Sequence, residues 1–399
     1  MRIALVGDFP LRPERIAGGV EAAFVYLVRG LVALDDLDVH VLTLGQPARD
    51  GPAPPPVPGA SFHVLPPFPR FELARNFRTY QERIDARLAT IAPDVVHAQG
   101  ATDHAYVALR SGYPTVITVH GVQGEDYKHQ PTVLKRARKR LYGALIERYN
   151  LRHTRHLIAI GRYVSDYFAP LFRPDVRVHL IPNAVDDAFF RLERRAAGGR
   201  ILFAGRVNRR KRPLDLVRAF AAVARDVPGA ELRLAGDLDG EPATVAELRS
   251  SVAAAGLEGR VRLLGSLAEE ELRREFAAAD LLALSSGQET TPMVIAQAMA
   301  VGMPVVATRV GGVAEMVEQG KTGLLVEVGD VDGLADSLRS LLQDRGLATA
   351  MGEAARAAAL RAYRADVVAS RTRDVYRSML SGTRTGDEIG PGRAARGAA

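Results

Sequence analysis

Short apolar runs alternate with amphipathic stretches along nearly the whole chain. In the first half the runs are RIALVG (2–7), DVHVLTL (38–44), SFHVL (61–65), DVVHAQ (94–99), TVITVH (115–120), HLIAI (156–160) and RVHLIP (177–182). Between several of them lie Val20–Leu34, Asn76–Ile91 and Val133–Leu151, where apolar residues recur near a 3.6 spacing. Strands that read as continuous apolar runs, separated by helices, predict an open parallel sheet covered on both faces. The pattern fades over RLERRAAGG (191–199), the predicted linker, and then restarts. The second set is RILFAG (200–205), ELRLAG (231–236), RVRLLG (260–265), LLALSS (281–286), PVVAT (304–308) and GLLVEV (323–328). Helices between these are predicted to begin near Pro213, Thr244, Ala268, Pro292 and Gly312. The pattern predicts two doubly wound α/β domains, at 1–190 and 200–365, with a further helix over 366–380. The last eighteen residues, GTRTGDEIGPGRAARGAA (382–399), have little to bury and predict disorder.

Length supports this division, since 399 residues exceed one ordinary core. The Pro-rich PARDGPAPPPVPG (47–59) suits neither a central strand nor a helix and reads as a surface loop. No cysteine is present, which excludes disulfides, thiolate metal sites and cysteine nucleophiles. No apolar run reaches the roughly 18 residues of a membrane-spanning helix. The N-terminus MRIALVGDFP enters a strand pattern without the features of a signal peptide. These features lead us to expect a soluble, cytoplasmic protein.

The net charge of +7 has one source. Residues 128–156 hold nine Lys or Arg and one acid, leaving 44 bases and 45 acids elsewhere. A single basic stretch on a near-neutral protein argues against nucleic-acid binding and for a local anionic partner. Leu134, Ala137, Leu141 and Leu145 fall on one helical face of it. Two readings stand open: an amphipathic core helix with a solvated basic back, or a surface that docks on anionic lipid.

Ligands of doubly wound domains sit at the carboxyl ends of the strands. After RILFAG come Arg206 and Lys211, just before Pro213 opens a helix. RVNRRKR there reads either as a solvated charge run or as a loop for a diphosphate, which needs cations beside backbone N–H groups. In the loop SGQETT after LLALSS, Thr291 is placed to cap a helix whose first residue is Pro292. Glu289 then lies beside unpaired helix-start amides, and Gln297 sits about 6 Å further along the axis. Glu289 is either an ordinary surface acid or a carboxylate that accepts from sugar hydroxyls. The loop GDFPLRPERIAGGVE after the first strand ends in Gly18-Gly19, a turn or a close backbone approach to a ligand. It is not the GxGxxG dinucleotide fingerprint. His120 ends TVITVH, and Asp103 and Glu125 also lie near strand ends.

Four blocks together, FAGRVNRRKRP, IPNAVD (181–186), SGQETTPMVIAQAMAVGMPVVAT and VGGVAEMVEQGKTGLLV (310–326), resemble the family 4 glycosyltransferases of the GT-B fold. The resemblance extends over most of residues 1–380. It implies two Rossmann-like domains facing a cleft, a C-terminal helix crossing back to the first, and retaining transfer from a nucleotide-diphosphate-sugar without a bound metal or other cofactor. In that pattern Arg206 and Lys211 match the basic pair on the diphosphate, and Glu289 the glutamate facing the donor sugar. Thr291, Pro292, Met293 and Val294 match the helix start at the donor, and Gln297 takes the place of the glutamate that holds the ribose. Gly18 and Gly19 match the glycine loop, and His120 the histidine beside the sugar. The basic stretch favours a lipid-linked saccharide or other envelope glycan as acceptor, with the protein on an anionic membrane surface. Transfer to a small metabolite, a noncatalytic nucleotide-sugar-binding subunit and an epimerase are the other readings. A glutamine at 297 keeps a two-point ribose contact but loses its charge assistance, which reads as a retuned contact in a working enzyme.

Overall fold

The computed structural model describes residues 1–12, 16, 18–45, 55–67, 72–122, 137, 140–196 and 198–389. The chain divides into two compact units, Met1–Pro13 with Val20–Ala184 and Ala365–Ala399, and Glu14–Gly19 with Val185–Arg364.

The first unit contains β1 (Arg2–Val6), β2 (Asp38–Leu44), β3 (Ser61–Leu65), β4 (Val95–Gln99), β5 (Thr115–Val119), β6 (His156–Ala159) and β7 (Arg177–Leu180). The second contains β8 (Arg200–Ala204), β9 (Glu231–Ala235), β10 (Val261–Gly265), β11 (Leu281–Leu284), β12 (Val305–Thr308) and β13 (Gly323–Val326). A last short strand, β14 (Glu388–Ile389), returns to the first unit. The sheets run β14-β7-β6-β5-β4-β1-β2-β3 and β10-β9-β8-β11-β12-β13. Every pairing is parallel except that of β14 with β7.

The central strands are buried on both faces, as their unbroken apolar sequences require. Ile3 to Val6 and Leu281 to Ala283 have no exposed surface. The helices supply the covering layers. Pro213–Asp226 starts on proline, which fits the first turn, and buries Leu216, Val217, Phe220 and Val223 along one stripe. In the first unit the terminal helix Ala365–Ser381 lies against the first helix at Gly30. A Cβ on Gly30 would stand 2.5 Å from the Ala365 carbonyl oxygen, so only glycine permits this approach.

Two boundaries differ from expectation. The second unit begins at Val185, well before the predicted linker. The Val185 N–H donates to the Tyr363 carbonyl at 2.7 Å, and the Phe189 ring packs edge-on against Phe276. Arg356 donates to the Phe190 carbonyl. These contacts fix 185–190 to the second unit. The predicted disorder of the tail fails over its first part. Glu388 and Ile389 extend the sheet, Arg177 bonds Glu388 at 2.6 Å, and Arg371 grips Asp387 through two bonds of 2.7 and 2.9 Å. A tail with little apolar surface is held by ion pairs and strand pairing, which a hydrophobicity pattern does not register. Residues 390–399 lie outside the described residues.

The backbone at Gly236, just after β9, has φ of +151°, and a Cβ there would stand 1.9 Å from the Gly205 carbonyl oxygen. Gly236→Ala therefore adds a clash to a disfavoured conformation. A loss of at least about 3 kcal/mol in urea unfolding of the purified protein is expected; a loss under about 1 kcal/mol would show that the backbone accommodates the change.

Candidate active site

In the second unit strand order reverses between β8 and β11. Doubly wound sheets open their ligand crevice at this kind of switch point. The two loops leaving these strands carry RVNRRK and SSGQE, and the structure stitches them together. The Asn208 side chain accepts from the Lys211 N–H at 3.1 Å, closing a tight turn over Arg209–Lys211. The Ser285 hydroxyl donates to the carbonyls of Lys211 (3.0 Å) and Arg212 (2.8 Å). The Gly287 N–H donates to the Arg210 carbonyl at 2.8 Å, and Arg210 returns a bond to the Gln288 carbonyl at 2.9 Å.

This stitching places Lys211 Nζ in direct contact with Glu289 Oε1. The Ser286 hydroxyl donates to the same oxygen at 2.6 Å, and the Arg210 guanidinium stands 3.7 Å from the other. Lys211 and Glu289 are 6 % and 5 % exposed, so the pair is withdrawn from water. Burial pushes the Glu289 carboxyl up, but Lys211, Arg210 and the Ser286 bond together outweigh it and hold it below the ordinary range. Glu289 is thus an ionised, fully engaged carboxylate. Arg206, at the exposed end of β8, makes no ion pair among the described residues.

The helix after this loop runs Met293–Val301, one residue later than expected, with Pro292 as its N-cap. Thr291 is therefore not the cap. Its hydroxyl is buried without a hydrogen-bond partner, and no side chain caps the helix. Proline cannot cap through its side chain; the Ile295 N–H turns back to the Pro292 carbonyl at 3.0 Å, and the Met293 and Val294 amides have no partner among the described residues. Met293 is buried and Val294 half-buried at that start. Gln297 is buried one turn on, and its amide has no protein hydrogen-bond partner among the described residues. Sequence reasoning missed Arg210 and Ser286, although both lie inside the quoted motifs; only the three-dimensional stitching singles them out.

In the first unit His120 follows β5 directly. Both of its ring nitrogens are engaged, Nε2 with the Gln99 side chain at 2.8 Å and Nδ1 with Asn183 at 3.0 Å. Burial pushes the imidazole down to about 4, against the opposing pull of Asn183, so it is neutral near pH 7. His120 can thus meet a ligand only by releasing a partner. Gly18 precedes the first helix and Gly19 opens it. Asp103 opens the helix Asp103–Arg110 and donates its N–H to the Tyr142 hydroxyl at 2.9 Å. An unexpected pair stands at the switch point of this sheet, between β1 and β4. His104 lies 3.1 Å from Asp8 in the loop after β1, and its hydrogen bond holds the Asp8 carboxyl below the usual range.

The basic stretch is described only in part. Leu134 and Glu125 lie outside the described residues, as do Lys135, Arg136, Arg138 and Lys139. The core-helix reading fails where it can be checked, because Leu141 and Leu145 are 56 % and 51 % exposed. A π-helical turn over Gly143–Glu147 shifts the face, and Ile146, Asn150 and Leu151 turn inward instead.

Two family models divide the chain between them. Glycosyltransferase Family 4 matches residues 17–189, and Glycosyl transferases group 1 matches residues 185–358. The chain is a family 4 glycosyltransferase. Among curated relatives, the N-acetyl-alpha-D-glucosaminyl L-malate synthase of Bacillus anthracis is 26 % identical over 376 residues, 88 % of this chain and 91 % of that protein. The D-inositol 3-phosphate glycosyltransferase of Pseudarthrobacter chlorophenolicus is 37 % identical over 207 residues, covering 50 % of this chain and 48 % of that protein. Among solved structures, sucrose-phosphate synthase of Thermosynechococcus elongatus superposes with a TM-score of 0.78 at 22 % identity, over 96 % of this chain and 100 % of that one. Anabaena HepE in complex with UDP-glucose gives 0.72 at 20 %, over 96 % and 100 %. The fold of this family 4 glycosyltransferase is the GT-B type, two parallel-sheet α/β domains.

The buried pair makes a pH-dependent prediction. In the native protein the lowered Glu289 carboxyl contributes stability that is present above its unfolded value and lost as pH falls through the folded one. Lys211→Met removes the main cation and raises that carboxyl instead. Urea unfolding of the variant should show a loss of about 3–5 kcal/mol at pH 8 that shrinks toward pH 5, as Glu289 takes up a proton. A loss equal at both pH values would contradict the ionised assignment.

Proposed function

We propose that this family 4 glycosyltransferase moves a sugar, with retention of anomeric configuration, from a nucleotide-diphosphate-sugar to an envelope glycan acceptor carried on lipid. The observation that carries the donor half is the Lys211–Glu289 pair at the β8–β11 switch point, beside an uncapped helix start. A diphosphate draws Lys211 and Arg206 onto its oxygens, and the helix-start amides add donors. Glu289, held by Ser286 and Arg210, is left to accept from hydroxyls of the sugar. As the donor bond breaks, charge builds on the diphosphate, and these same cations stabilise it, so the reading assigns no role to a metal. A phosphate oxygen takes the acceptor's proton on the face where the new bond forms. Gln297, buried and without a side-chain partner among the described residues, bonds the ribose.

The acceptor half rests on the exposed Leu141 and Leu145 beside the basic run, a surface suited to an anionic membrane or lipid carrier. A second reading, a small anionic hydroxy compound as acceptor, draws on the malate synthase relative, which aligns over 91 % of its own length.

Purified protein given a panel of nucleotide sugars should turn over one donor, and either Glu289→Ala or Lys211→Ala should abolish turnover. Parallel reactions with a lipid extract and with small hydroxy acids and sugar phosphates separate the two acceptor readings. Product NMR reports the anomeric configuration, and inversion would remove the retaining mechanism. Binding of a nucleoside diphosphate without turnover of any donor would point to a noncatalytic subunit. Gln297→Glu should leave kcat/KM within about tenfold, about 1.4 kcal/mol; if it instead awakened an inactive protein, the glutamine would be a loss of function.

A further inference from the structure

Six polar side chains of the first unit form one hydrogen-bonded network through its core. The Tyr376 hydroxyl, on the terminal helix, meets His97 Nδ1 at 2.6 Å. His97 Nε2 meets both the Thr118 hydroxyl (2.7 Å) and the amide nitrogen of Gln99 (3.1 Å). The Gln99 oxygen continues to His120 Nε2 at 2.8 Å, and His120 Nδ1 ends the chain on the Asn183 oxygen at 3.0 Å. A neutral His120 therefore requires one of these two amides to turn over. His97 and Gln99 are two apart on β4 and so share a face. Tyr376 and His97 have no exposed surface, and Gln99 has 6 %. Burial pushes the imidazoles of His97 and His120 down to about 3 and about 4, so both are neutral near pH 7.

A neutral imidazole has one donor and one acceptor, and a side-chain amide can turn over to exchange its own. The chain therefore has two self-consistent settings. In one, His97 donates from Nδ1 to Tyr376 and accepts at Nε2, Gln99 presents its oxygen to His120 Nε2–H, and Asn183 donates to His120 Nδ1. That setting leaves the hydroxyl hydrogen of fully buried Tyr376 without an acceptor among the described residues. In the other, the Gln99 amide is the one that turns over: Tyr376 donates to His97 Nδ1, and His97 Nε2–H points at the Gln99 oxygen. The Gln99 amide nitrogen then donates to His120 Nε2, and His120 Nδ1–H donates to the Asn183 oxygen. Here the hydrogen left over is that of Thr118, which lines a small pocket with His120, Asn183 and Thr372 and can turn its hydroxyl into that space. A buried donor without a partner is the costlier omission, so the second setting prevails.

We propose that His97 and Gln99, anchored by Tyr376, are positioning residues that fix His120 as its Nδ1–H tautomer and turn the N–H₂ of Asn183 outward as a donor for ligand oxygens. The inference rests on the glycosyltransfer reading for its purpose but not for its test. Without the relay, His120 could adopt either tautomer and Asn183 could present either a donor or an acceptor. With it, the polarity shown to a ligand is set from the buried side of the sheet.

Long-range proton–nitrogen correlation spectra of histidine-labelled protein decide the matter. The wild type should show His97 protonated on Nε2 and His120 on Nδ1. Gln99→Glu, whose carboxylate accepts on both sides, should transfer the His120 proton to Nε2. Gln99→Met should leave His97 as it was and give His120 as a mixture. His120 protonated on Nε2 in the wild type, or unmoved by a folded Gln99 variant, would overturn the proposal. The wild-type spectrum stands even if the variants fail to fold. In the transfer assay Gln99→Met should lower kcat about tenfold to a hundredfold with donor KM little changed. A protein that transfers no sugar but shows the expected tautomers would refute the function and leave the relay intact.

Discussion

A parallel strand covered by helices on both faces has nowhere along its length to keep a charge in contact with water. Polar chemistry is pushed to the strand ends, and this constraint organises both units of the molecule. Lys211 and Glu289 lie at the ends of β8 and β11. His120 lies at the end of β5, and Asp8 follows β1. His97, Gln99 and Thr118, which do sit within a sheet, are joined to one another by hydrogen bonds.

The same constraint explains what could be read from the sequence. The thirteen longer strands are legible because burial writes the central ones as apolar runs and the edge ones as runs rich in Val and Leu, and most observed ends fall within two residues of those expected. The donor-side residues are legible because they follow such runs at once. Other features left no comparable trace. β14 has two residues and is held by Arg177 and Arg371, so nothing in its hydrophobicity announces a strand. The π-turn at Gly143–Glu147 rotates a helical face without altering composition, which is why Leu141 and Leu145 point the wrong way for a core prediction. Tyr376 and His97 are 279 positions apart, and only the fold reveals that they meet.

The donor-side pair also says something about the ligand-free enzyme. With Glu289 neutralised by Lys211, Arg210 and Ser286, the site carries no unpaired buried charge. A lone lysine there would face the desolvation cost by itself, and a lone glutamate would take up a proton. Each holds the other in its charged state. In the protein as described, the buried cation is therefore not left alone.

The first unit is built from both ends of the chain, and the second is spelled out entirely between them, apart from a short piece of the opening loop. During synthesis β8 to β13 emerge complete while the first sheet still lacks its terminal helix, and His97 then has no Tyr376 to meet. The ribosome therefore delivers the second unit as a finished fold first. The first unit must wait, with His97 Nδ1 unsatisfied in its core, for residues 365 onward to arrive.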